Sequence, residues 1–439
     1  MKEILIMRSL ISTWPLFFGL TLIMIGNGIQ LILIGLRASA AGYSNVITGL
    51  MMAGYFLGIF IGSLIVPKTL SEVGHVRTFG ALAAVASASV LLHILLANPL
   101  AWAVLRLITG FCYAGMYIVV ESWLNEKATN DTRGQILSIY MIITMAGLGL
   151  GQLISGADDG ISIDLFLIAS VLVSLAVVPV LITAAKAPDF EAPEMVSLRR
   201  LLQISPLALT GLFLHGLVMA MLFGIGAFYA KSIGLSTGQT SLFMASTTLG
   251  ILCLQYPLGR FSDRFDRRVV ILGIAVSAAV FAFLLSFLGK NEFFLILLLM
   301  ALFGGTSLTL YSLFIAHAND YLTPSQMVST SSSLVMVNGI GAVIGAPLVA
   351  ISMDLFGNWS YFGLIGIIHI GLAIFIGYRM AVRPAVPAEA QGPLVLLPDT
   401  STAMAVSLNP ETEWVDNSIA AQSEADPLED NPYFPKDLN

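Results

Sequence analysis

A hydrophobic stretch of about 20 residues recurs along nearly the whole chain and stops only where a polar tail begins. A helix rises roughly 1.5 Å per residue, so each stretch matches the roughly 30 Å hydrocarbon core of a bilayer. The chain therefore reads as a polytopic membrane protein. Hydrophobic residues make up 57% of it and charged residues 10%, with a mean hydropathy of +0.89. Soluble domains carry about a quarter charged residues, and no soluble core could hide this much apolar surface. Cys112 and Cys253 both fall inside apolar stretches, which excludes a disulfide framework or a cysteine-based zinc site. The first stretch, Trp14 to Leu36, is too long for a signal peptide and contains Asn27 and Gln30, so it reads as an uncleaved spanning helix.

The apolar windows predict twelve helices, near 13–36, 45–66, 78–97, 100–124, 135–155, 162–184, 206–231, 238–260, 268–289, 292–317, 328–352 and 360–380. Basic residues flanking spans mark the cytoplasmic side. With the N-terminus inside, Lys2, Arg8, Lys68, Arg77, Lys127, Arg133, Lys186, Arg199, Arg200, Arg260, Arg264, Arg267, Arg268, Arg379 and Arg383 are all cytoplasmic, and only Arg37, Lys231 and Lys290 lie outside. Both termini are expected to be cytoplasmic, in a cell membrane of the bacterial inner-membrane type.

A polar connection at 186–205 divides the chain into six-helix halves, 1–185 and 206–383, followed by a tail at 384–439. The halves echo one another. Gly110, Tyr117, Asn125 and Glu126 recur 194 positions later as Gly304, Tyr311, Asn319 and Asp320, and Gly147-Leu148-Gly149 recurs as Gly339-Ile340-Gly341. Thr132-x-x-Gln135 and Thr323-Pro324-x-Gln326 both have the form of capping boxes that open a helix. Several matches in register indicate an internal duplication.

The loop after the eighth segment reads Gly259-Arg260-Phe261-Ser262-Asp263-Arg264-Phe265-Asp266-Arg267-Arg268. It resembles the G-x-x-x-D-R-x-x-R-R signature of the major facilitator superfamily, and Arg106-x-x-x-Gly110 is similar to that superfamily's second motif. Glu121-Ser122-Trp123-Leu124-Asn125 and Ala316-His317-Ala318-Asn319-Asp320 resemble its YcaD-like subgroup, and the likeness covers roughly 10–383. The resemblance implies an all-α fold of twelve transmembrane helices in two pseudo-symmetric six-helix bundles. It also implies a central cavity lined by the first, fourth, seventh and tenth helices, and alternating access. Two positions depart from the pattern. The matching first-half loop, Gly62 to Arg77, lacks the aspartate, and the fifth helix has Gln152 where the antiporter-associated motif has proline.

Few polar groups remain inside the spans. Arg106, Gly110, Tyr113, Tyr117 and Glu121 share an arc of roughly 80° on the fourth helix. Arg106 is the one Lys or Arg away from the ends of a span, and a cation there costs roughly 2.5–3.5 kcal/mol on insertion scales. It is either an anion or proton-relay contact or a tie to a neighbouring helix. Glu121 is a candidate proton carrier or an inner gating hydrogen bond. Asn27 and Gln30 sit within about 60° of each other and suit a solute or an interhelical bond. His215 and Tyr229 share a face of the seventh helix, where His215 is a second proton or solute candidate, and Tyr311 is the tenth-helix counterpart of Tyr117. His317 lies off that face and reads as packing or gating, while His93 and His369 read as structural. No carboxylate lies at helical spacing from a histidine within a span, so no metal site is expected.

Asp263, Arg264, Arg267 and Arg268, with His317 and Asn319, form the expected gate, Asp263 being placed to face the start of the eleventh helix near Thr323. The arginines could equally serve topology alone. The tail carries ten carboxylates against Lys436, a net charge of −9, and reads as disordered; the alternative is a docking peptide centred on Asn431–Pro435 for a protein partner. No Walker-type phosphate loop is present. The expected activity is proton-coupled secondary transport of a small organic solute, with an anion as one option, by a monomer that is not an enzyme. No cofactor and no nucleic-acid partner are expected, and lipid, solute and protons are the expected partners. Drug efflux, and a solute sensor signalling through the tail, are the alternatives.

Overall fold

The computed structural model describes residues 2–129, 132–157, 162–182, 196–322, 324–387, 391–398 and 402–406. Among them the regular structure is entirely helical. Twelve helices are long and apolar enough to cross a membrane: α1 (Thr13–Ala40), α2 (Asn45–Val73), α3 (His75–Leu95), α4 (Pro99–Lys127), α5 (Arg133–Ala157), α6 (Asp164–Ile182), α7 (Pro206–Ser232), α8 (Thr237–Ser262), α9 (Arg267–Ser286), α10 (Lys290–Asn319), α11 (Gln326–Phe356) and α12 (Ser360–Val382). They form two pseudo-symmetric six-helix bundles. The end that carries the α2–α3, α8–α9 and α10–α11 turns is called the basic end below.

The duplicated glycines explain why the halves pack alike. A Cβ at Gly58 or Gly110 would strike the α4 or α2 backbone at Leu107 or Tyr55, so α2 and α4 meet along bare backbone. Gly250 and Gly304 do the same for α8 and α10 against Ala301 and Thr247. Gly28 and Gly151 seat α1 on α5, and Gly216, Gly341 and Gly345 seat α7 on α11. Gly110→Val should therefore force α2 and α4 apart and cost about 3 kcal/mol or more, since a close-packed contact cannot absorb the added volume. Gly273 of α9 has nothing within 4 Å of a Cβ, so Gly273→Ala should stabilise by about 0.5–1 kcal/mol. Thermal unfolding of the two variants beside the parent checks both signs.

Local details depart from the sequence reading. Thr132 precedes α5 without capping it, because its hydroxyl lies 3.0 Å from that of Thr129. Its intended counterpart, Thr323, lies outside the described residues. The capping box that does form is Ser236 with Gln239 at the start of α8. Gly74, at φ +89, makes the turn between α2 and α3, a conformation that side chains avoid. Where that loop lacks an aspartate, His75 Nε2 lies 3.0 Å from Ser122 Oγ at the end of α4, a bond without an ion pair. Among the described residues three of these helices are interrupted: α6 at Ala176, α7 by a π-helical turn at Met221–Ile225, and α10 at Leu308 and Thr309, which separate Phe293–Ser307 from Leu310–Asn319. Such breaks in the hydrogen-bond ladder are frequent at functional sites.

Candidate functional site

A cavity of about 60 Å³ lies between the two halves, lined by Asn27, Leu31, Tyr55, Phe56 and Tyr117 on one side and by Met219, Phe223, Val335 and Asn338 on the other. Small-molecule sites run to roughly 300–1,000 Å³, so this cavity by itself is too small to hold a solute of that size. On the first-half wall, Asn27 Nδ2 donates to the Tyr117 hydroxyl at 3.0 Å, and the Tyr55 hydroxyl donates to Asn27 Oδ1 at 3.1 Å. Gln30 Nε2 donates to the Tyr113 hydroxyl at 2.8 Å. On the second-half wall, His215 Nδ1 donates to Asn338 Oδ1 at 2.9 Å, and its ring packs on Tyr311 at 5.4 Å. The expected residues Asn27 and Tyr117 thus line the cavity, while Gln30, His215 and Tyr311 stand behind the lining as bonded or packed supports.

Arg106 is 0% exposed and lies behind Tyr55, with its guanidinium 4.2 Å from the centre of that ring. None of its three guanidinium nitrogens has a hydrogen-bond partner among the described residues. The expected cluster of Arg106 with His215 is not assembled here; Tyr55 separates Arg106 from the space that the two halves share. Tyr229 does not reach the cavity either: it stacks on Tyr361 at 4.1 Å in an aromatic cluster with Phe243 and Phe362.

Glu121 is fully buried and accepts from the Tyr140 hydroxyl at 2.5 Å. Its other partner comes from the tail: the Thr402 N–H donates at 3.1 Å, and the Thr402 hydroxyl donates to the same carboxylate. The expectation that everything after residue 384 stays outside the bundle therefore fails for residues 391–398 and 402–406. Gly392 accepts from Arg267 at 2.6 Å, Leu394 N–H donates to Asp263 at 2.8 Å, and Leu397 N–H donates to Ser312 at 3.0 Å. Leu397 and Ala405 are buried. The tail is acidic on average, but Pro393–Pro398 is an apolar run that can bury itself.

At the basic end, Asp263 caps α8 and bonds the tail, 3.6 Å from Arg267, while Thr323, the residue it is expected to face, lies outside the described residues. The close ion pair is Arg267 with Asp320, at 2.6 Å. Arg268 pairs with Asp266 at 3.0 Å and donates to the Arg383 carbonyl at 2.7 Å, while Arg264 is exposed. His317 packs edge-on against Tyr321 in a narrow site shared with Arg268, Arg379 and Arg383. Asn319 accepts from Ser331 of α11 at 3.0 Å. Burial lowers the Arg383 guanidinium from its ordinary value and raises the Tyr321 phenol, and the stacking of the two at 4.0 Å opposes both shifts. Among the described residues no group of three or more His, Cys, Asp or Glu could hold a metal ion.

At the end away from the basic one, the halves touch directly. A Cβ at Gly49 of α2 would lie 2.6 Å from that of Ala350 on α11, and one at Gly156 would lie 2.9 Å from that of Ser241. Asn45 donates to Asp354 there at 2.5 Å. In mid-bundle Gln152, the residue in place of the antiporter proline, accepts from Thr248 of α8 at 2.8 Å.

The sequence profile of the Major Facilitator Superfamily matches residues 16–207 and 208–419. The chain is similar to the uncharacterized MFS-type transporter YcaD of Escherichia fergusonii, 24% identical over 339 residues, or 77% of this chain and 86% of the relative. In fold it is similar to the nucleoside transporter NupG, with a TM-score of 0.69 at 12% identity over 84% of this chain and 98% of that one. The D-xylose-proton symporter gives 0.66 at 14% identity, over 88% and 99% respectively.

Proposed function

Because the chain belongs to the major facilitator superfamily, we propose that it is a secondary active transporter moving a small organic solute by alternating access between its two halves. The observation that carries this reading is the cavity between the halves, to which one half brings Asn27, Tyr55 and Tyr117 and the other Asn338. Hydroxyl and amide groups at one apolar crevice suit a polar solute of the nucleoside or sugar kind, the classes named for the transporters of similar fold. Proton coupling is assigned to Glu121, a buried carboxyl held by Tyr140, with His215 as a second titratable group beside the pathway.

Uptake of a nucleoside, sugar and organic-anion panel into proteoliposomes, with and without an imposed pH gradient, tests the proposal. Accumulation of one class that collapses with the gradient is expected, and absence of flux for every class would count against it. Both termini are assigned to the cytoplasm on the bias of basic residues. Reporter fusions after Lys290 and after Arg383 should report outside and inside respectively, and the same answer from both would refute the orientation. A sensor signalling through the tail is the second reading, favoured by Thr402 on Glu121, and it predicts binding without flux.

A further inference from the structure

The tail contacts mark a path. On α8, the residues met by successive tail positions are Asp263 by Leu394, Gly259 beside Leu394 and Leu396, and Gln255 by Leu397. These lie one helical turn apart, so the tail descends about 12 Å into the bundle from the basic end. It runs in the space between α5 and α8, which Pro393–Leu396 line together with Leu137 and Met141. It then crosses to the other half, where Thr402 bonds Glu121 and the turn Ala403–Val406 lies between α4 and α11. Thr402 also lines the central cavity, so the tail forms part of that cavity's wall. The opposite end is closed by α2 against α11 and α5 against α8. With that end shut, a passage towards the basic end is where a solute would leave or enter, and the chain's own tail occupies it.

We infer that residues 391–398 and 402–406 are an internal occupant of the solute pathway, anchored by Thr402 on Glu121, and that they must withdraw before a solute can pass the basic end. This rests on the transport reading and adds its regulation. Two features fit a reversible occupant better than a permanent core element. Its polar anchors are hydrogen bonds to side chains, on Asp263, Arg267, Gln255, Ser312 and Glu121, all of which can turn to water or solute when released. The segment is also bonded to both halves, through Glu121 on one and through Asp263 and Ser312 on the other, so a rocking of the halves cannot keep both sets of bonds.

The test uses the full chain with Cys112→Ala and Cys253→Ser, and with Ser63→Cys as reporter. Ser63 lines the cavity from α2 and bonds the Ile59 carbonyl of its own helix at 2.9 Å, so it leaves the tail contacts untouched. The purified protein is labelled with a bulky polar maleimide. Adding Leu397→Asp, or Thr402→Val, should accelerate labelling at least tenfold, as should ending the chain at residue 390. A synthetic peptide of residues 391–406 should slow the truncated protein again. Equal labelling rates in all of these would overturn the inference. Solute flux on the same samples separates the two claims: faster labelling with no flux anywhere counts against transport and supports the occupant, whereas flux with unchanged labelling supports transport and overturns the occupant.

Discussion

Replacing Arg106 by methionine should abolish transport and, at the same time, raise thermal stability. The side chain is 0% exposed and its three nitrogens lack hydrogen-bond partners among the described residues, so a full charge is held by the Tyr55 ring alone. A desolvated cation over an aromatic face gains about 2 kcal/mol. Burial of an ion costs several kcal/mol even after relaxation, so the stack does not offset it. A residue kept at net cost fits a role in another state, when Tyr55 moves and the guanidinium meets an anionic group of the solute or a carboxylate. Losing a charge-assisted contact worth about 2–5 kcal/mol should lower uptake about 30-fold or more. Arg106→Lys should recover part of it, keeping the charge but losing the planar fork. A methionine variant that transports normally, or one that melts well below the parent, would make Arg106 a structural tie.

Arg267→Met should have the largest effect on stability of any charge change at the basic end. Arg267 and Asp320 pair at 2.6 Å with side chains 1% and 2% exposed, and Arg267 also bonds Ser262 and the Gly392 carbonyl. Breaking a buried pair from one side strands the other charge and costs about 3–5 kcal/mol. Arg267→Met with Asp320→Leu should recover most of that loss, because nothing charged is then left buried. Thermal unfolding of the single and double variants gives the comparison. A loss below about 1 kcal/mol in the single variant would put the pair with the screened surface bridges.

The twelve spans were legible because bilayer thickness fixes their length, and the duplication because Gly110 and Gly304 solve the same packing problem 194 residues apart. The helical stripe of α4 likewise placed Tyr117 and Glu121 on one face, as found. Tyr55 and Asn338 escaped notice because a lone phenol or amide in an apolar span has no periodic partner on its own helix; its partners, Asn27 and His215, are on other helices. The loop motif drew Asp263 towards the start of the eleventh helix and gave Arg267 no partner; that partner is Asp320, 53 residues away, beyond the reach of spacing along one segment. Its place in the duplicated pattern, opposite Glu126, was the available clue. The packing of residues 391–398 was not legible because the tail's net charge of −9 masks the apolar run Leu394–Leu397, which lies ahead of most of the carboxylates.

If solute crosses between two halves that move against each other, a reversible lock between them should stop it. A Cβ at Gly149 would lie 3.9 Å from that of Thr248, inside the roughly 3.5–4.5 Å that a disulfide requires. Gly149→Cys with Thr248→Cys, in a chain carrying Cys112→Ala and Cys253→Ser, should support solute uptake into proteoliposomes when reduced, lose it when oxidised, and regain it on adding reductant. Equal uptake from the reduced protein and the fully cross-linked protein would contradict the account.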